Sequence, residues 1–150
     1  MSPPSSRSPA FVLGLGGVLG ALAWGAWLGW DRTASYDVIT GTVQTPYVTL
    51  QVLGCALTVG MVTALLAALW HPVAAASGVG LGFWVVWTVD AAVHDASGLY
   101  AVGSLMLAVV VAGGTALAAS VGTGVRIVMD AARRRREGRD ASGEPRSGGR

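Results

Sequence analysis

The chain has 150 residues, of which 53% are hydrophobic and only 12% charged, and its mean hydropathy of +0.58 excludes an ordinary soluble globular domain, in which roughly 25% of residues are charged. Its net charge of +2 rests on arginine alone, since there is no lysine. The single cysteine, Cys55, excludes an intrachain disulfide, a CxxC redox pair and a multi-cysteine metal centre, and reads as a small apolar filler.

In chain order, residues 1–9 are polar and rich in Ser and Pro and are expected to be a disordered cytoplasmic N-terminus. Ala10 to Gly29 is the first uncharged apolar run. At 1.5 Å per residue it is long enough for a hydrocarbon core of ~30 Å. The "ALA" at Ala21 to Ala23 imitates a signal-cleavage site, but the apolar run continues to Gly29, beyond the usual signal core, so the segment reads as a span.

Residues 30–46 form an acidic outer segment, where alternation around "VITGTV" suggests a small hairpin turning at Thr40-Gly41. The second span is predicted over 47–69, with Thr45-Pro46 as its N-cap and first residue. His71-Pro72 repeats the proline device and opens the third, predicted over 73–92. "WHP" between them is short enough to demand an antiparallel hairpin. The fourth span is predicted over 99–125, capped by Asp95 or Ser97, and residues 126–150 read as a basic, mostly disordered cytoplasmic tail.

The fold class is therefore an all-α, up-down-up-down four-helix transmembrane bundle occupying residues 10–125. Trp30, Tyr47 and Tyr100 fall at ends that share one face of the bilayer, and Trp70 at an opposite end, as interfacial aromatics should. From Arg126 onward eight arginines stand against four acids, including Arg133, Arg134, Arg135 and Arg136 in succession. Arginine is retained on the cytoplasmic side, so both termini are expected in the cytoplasm of a plasma-membrane protein. Arg133 to Arg136 then serve as a topology anchor that also meets anionic lipid headgroups; nucleic acid is not expected as a partner.

Spans associate through small residues, because lipid is as apolar as leucine. Gly17, Ala21, Gly25 and Gly29 recur every fourth residue in the first span, with Gly16 and Gly20 beside them. Gly114, Ala118 and Gly122 repeat the pattern in the fourth, and Ala74, Gly78 and Gly82 in the third. These stripes predict tight seams within the bundle, or a homo-oligomer or membrane-protein partner.

Candidate chemistry is sparse. Asp90 and His94, four residues apart on one helix face with Asp31, Asp37 and Asp95 on the same side of the membrane, offer a weak metal or proton site. The plainer reading makes Asp90 the end of the apolar run, His94 a headgroup-level residue and Arg32 a charge partner. There is no G-x-S-x-G elbow and no G-x-x-x-x-G-K phosphate loop. No enzyme and no cofactor are expected.

The segments "TGTVQTPYVTLQVLGC" and "WTVDAAVHDASGLYAVG", set among four short-looped apolar spans, resemble the small uncharacterised four-helix integral membrane proteins of actinobacteria. That resemblance covers about residues 10 to 125 and implies a four-span bundle, without a catalytic residue or an activity. Small multidrug transporters share the size and span number, but the glutamate their first helix uses for proton coupling has no counterpart here. The expected role is a non-catalytic accessory or interaction subunit, with a small transporter or channel component, or the Asp90/His94 surface site, as alternatives.

Overall fold

The computed structural model describes residues 8–29, 36–37, 42–43, 49–94 and 98–142. Its four helices are α1 (Pro9–Trp27), α2 (Thr49–Leu69), α3 (Pro72–His94) and α4 (Tyr100–Ser142). Each contains a stretch long and apolar enough to cross a membrane, the pattern of a multi-pass membrane protein. Two short strands, β1 (Tyr36–Asp37) and β2 (Thr42–Val43), pair antiparallel with Tyr36 opposite Val43. They bracket the expected hairpin turn at Thr40-Gly41, which lies outside the described residues, as do Thr45-Pro46, Asp95 and Ser97.

Local chemistry sets the helix starts. Ser8 caps α1, its side chain accepting from the Phe11 amide at 3.3 Å, with Pro9 in the first turn where a missing N–H costs nothing. Pro72 does the same for α3, and the His71 carbonyl accepts from Ala75 N at 2.9 Å. Before α4, Gly98 takes φ 75°, a left-handed turn that a side chain would strain.

One expectation is corrected. Residues 126–142, read from sequence as a mostly disordered tail, continue α4 as helix to Ser142. The physical reason lies in "DAARRRRE", where Ala, Arg and Glu are strong helix formers and a formed helix propagates more easily than it nucleates.

The α2–α3 hairpin is the middle of the bundle. Both of its helices touch every other helix, whereas α1 and α4 make no contact with each other among the described residues. The broadest interface joins α1 to α3. There the backbones meet almost without side chains between them: a Cβ on Gly78 would strike the Leu13 backbone, one on Gly20 the Val79 carbonyl, and one on Gly82 the Gly17 carbonyl. At the α2–α4 interface Gly122 lies against the Ala64 backbone in the same way.

Two apolar clusters fill the interior. Near the α2–α3 turn are Val12, Leu66, Ala67, Ala75, Val79 and Ala119; toward the other end are Trp24, Leu28, Cys55 and Phe83. Polar side chains tie helix pairs together. The Trp27 indole N–H donates to Thr58 Oγ1 at 3.1 Å while its ring covers Gly54, joining α1 to α2. The Trp84 indole donates to the Ser104 carbonyl at 3.0 Å, and Thr88 Oγ1 lies 2.8 Å from Ser104 Oγ, joining α3 to α4.

Such bonds are modest in membranes, averaging about 0.6 kcal/mol with a ceiling near 1.7. Trp27→Phe and Thr58→Val are therefore each expected to lose an amount in that range, and the double variant no more than the larger single loss. Thermal unfolding of the purified protein in mild detergent, run as a double-mutant cycle, reads this directly. Fully additive losses would show that the bond contributes nothing.

Candidate functional site

The sequence points first to Asp90 and His94. Because α3 runs on through His94, the pair shares a face, and His94 Nδ1 lies 3.4 Å from Asp90 Oδ1 and 2.8 Å from the Asp90 carbonyl oxygen. The same ring nitrogen thus faces both oxygens. A metal bridging the carboxylate and Nδ1 would have to displace the contact to the backbone carbonyl, so this geometry suits a histidine closing the last turn of a helix better than a ligand set.

Among the described residues no three His, Cys, Asp or Glu side chains gather around one point. Asp31, Asp95 and Arg32 lie outside the described residues, as does the side chain of Asp37. Below the pair is a shallow depression walled by Trp24, Val85, Val86, Val89 and Val93. Elemental analysis of purified Asp90→Asn/His94→Gln protein is expected to match that of the natural chain. Divalent metal present at one equivalent and lost with the pair would make it a site after all.

More space surrounds α4. A crevice of about 280 Å³ opens between α2 and α4, floored by Leu28, Cys55, Phe83 and Trp87 and bounded on α4 by Leu107 and Thr115. A second, of about 470 Å³, lies between α3 and α4 against Ser77, Gly80, Trp84, Ala112 and Thr115. Val111 and Thr115 line both, so α4 stands between two clefts. Thr115 is 3% exposed, and its hydroxyl donates to the Val111 carbonyl at 2.8 Å. With that hydroxyl satisfied inside its own helix, the walls are apolar in effect and suit hydrocarbon rather than an ion.

No protein-family model, curated protein or solved structure matches the chain.

The glycine stripes divide unequally. Gly17 and Gly122 lie in seams, as described, and Ala21 and Ala118 are half-buried. Gly25 and Gly114 are exposed with open space where a Cβ would sit, and a Cβ on Gly29, just past the end of α1, would first meet Gly25 and Trp24. The buried row on α1 is Gly16 and Gly20, which the sequence marks only as a companion pair.

Arg133 to Arg136 are exposed on the continuation of α4. Arg126, one step past the predicted span, donates through Nη1 to the Trp70 carbonyl at 3.2 Å, meeting the C-terminal end of α2 where a cation is favourable. Sequence reasoning missed the pairings of Trp27 with Thr58 and of Trp84 and Thr88 with Ser104. Their signal is chemical rather than periodic: an indole N–H within an apolar helix needs an acceptor. Trp24 differs, its Nε1 buried without a partner among the described residues.

Proposed function

We propose that this chain is a small integral protein of the plasma membrane that acts as an accessory or interaction subunit, without catalysis or a cofactor of its own. It crosses four times in up-down-up-down order, with both termini cytoplasmic. Support for the order comes from contacts that advance together along α1 and α3 (Leu13 with Gly78, Gly17 with Gly82) but in opposite senses along α3 and α4 (Gly80 with Thr115, Thr88 with Ser104). Support for the orientation comes from the arginines after Val125. The reading keeps the chain with the small actinobacterial four-helix proteins that it resembles.

One observation carries the interaction role. Only 11% of the apolar window of α4 is buried within the molecule, against 33% for α3. Gly113 and Gly114 sit on that helix with open space around them, where another membrane helix can approach closely. Purification from native membranes in mild detergent should bring down a membrane-protein partner or a second copy in fixed ratio, and Gly113→Leu/Gly114→Leu should release it. A chain that purifies alone, in both forms, contradicts the role.

A second reading, a small transporter or channel component, draws on the clefts beside α4, whose apolar walls suit a hydrophobic solute rather than an ion. Liposomes containing only this protein separate the two, since an accessory subunit moves no solute. For the orientation, a phosphatase fused after Arg139 should be inactive and one fused after Gly98 active.

A further inference from the structure

We propose that Arg133 to Arg136, carried on the helical continuation of α4, form a binding site for the anionic phospholipid headgroups of the leaflet from which α4 emerges. This rests on the membrane reading above and adds to it a ligand of defined chemistry.

The level of the site follows from one contact with the bundle and from the continuity of α4. The bond from Arg126 to the Trp70 carbonyl brings the end of α2 level with Arg126 on α4 and marks where the packed spans stop. From there α4 continues without a break, so Arg133 lies about 10 Å further along the axis at 1.5 Å per residue. Headgroup layers are roughly 5–8 Å deep, the difference between total and hydrocarbon thickness shared over two faces. An arginine rooted at that height reaches back into the phosphate layer through its flexible stem.

The arrangement around the axis matters as much as the height. At 3.6 residues per turn, four consecutive side chains point around most of the circumference, giving a ring rather than a stripe. Some guanidinium therefore meets the surface whichever way the helix leans. Among the described residues none of the four is ion-paired, although Asp130, Glu137 and Asp140 lie within about a turn of the run along the chain. A planar guanidinium matches phosphate with two parallel hydrogen bonds, and residues 126–142 hold six arginines against three acids, an excess of positive charge facing the leaflet.

Between Arg126 and the ring lie Ile127, Val128 and Met129, 63%, 68% and 53% exposed. Three apolar side chains in succession just beyond the spans fit the acyl–headgroup boundary. An apolar turn followed by a basic ring supplies both contributions that stable surface anchoring requires.

The test uses the full chain in vesicles of phosphatidylcholine, with or without phosphatidylglycerol. Trypsin is added, and cleavage at Arg133 to Arg136 is followed by mass spectrometry relative to cleavage at Arg146 in the same tail. Phosphatidylglycerol should slow the ratio by about tenfold or more, the equivalent of little over one such charge contact, and high salt should restore it. In parallel, native mass spectrometry should find phosphatidylglycerol retained by the natural chain and lost from the variant with all four arginines changed to glutamine. An equal cleavage ratio in both vesicle types overturns the site, as does protection by added duplex DNA without protection by phosphatidylglycerol. A protein that washes out of vesicles in carbonate overturns the membrane reading itself, a result distinct from either.

Discussion

Gly82→Ala is expected to destabilise the bundle by about 2 kcal/mol, within the range for overpacking a close-fitted interior, whereas Gly25→Ala should leave it unchanged or slightly firmer. The two changes are chemically identical and both fall inside apolar helices. They differ in what the new methyl group meets. At Gly82 it runs into the backbone of Gly17, whose carbonyl carbon and Cα would each be 2.7 Å away, and no rotamer can move a backbone aside. At Gly25 there is open space, and the only change is alanine's better helix propensity, about 0.5–1 kcal/mol in a solvated helix. Gly20→Ala, which meets the Val79 carbonyl from the other side of the seam, should repeat the Gly82 loss. Parallel melting curves in one detergent decide the matter, and equal midpoints for Gly82→Ala and Gly25→Ala would remove the α1–α3 seam from this description.

Phe83→Ala is expected to cost about 2 kcal/mol, less than the 3–5 typical of buried phenylalanine in water-soluble cores. Phe83 is 6% exposed, packs with Trp24, Leu28 and Cys55, and floors the crevice beside α4. In water its loss would combine a transfer term with a cavity term. When the unfolded reference is itself in lipid or detergent the transfer term largely vanishes, and a void of roughly 80 Å³ at ~24 cal/mol per Å³ leaves the smaller figure. Because the void joins an existing apolar crevice, benzene or a short alkane should recover part of the loss. A decrease of 4 kcal/mol or more, with no recovery by added hydrocarbon, would count against a hydrocarbon-solvated bundle.

The four helices were legible from the sequence because uncharged length is a strong signal. The observed Thr49–Leu69 lies within the predicted second span over 47–69 and ends with it, and Pro72 opens α3 where the proline chemistry says it should. The choice of glycine face was not legible. Gly16, Gly17, Gly20 and Ala21 are all small, so adjacent rows on α1 compete on equal terms, and the shape of α3 at Gly78 and Gly82 selects between them. Polar composition argued for disorder after Val125, while the helix propensity of the arginine run, equally present in the sequence, argued the other way; the helix runs through it.

Within the candidate site, the Asp90 and His94 juxtaposition follows from their spacing alone, but the contact of Nδ1 with the Asp90 carbonyl does not. The clefts beside α4 were beyond sequence reasoning altogether, since they depend on how α4 packs against α2 and α3 in three dimensions.

The central position of the α2–α3 hairpin bears on how the chain assembles as it is made. Since α1 finds its main partner in α3 rather than in its immediate successor, the first helix reaches its broadest interface only after two more have entered. Arrival of the third closes the glycine seam between α1 and α3. The last helix then joins a finished surface on the far flank from the first, so whatever engages α4 can do so late and without disturbing the glycine seam already closed on the opposite side.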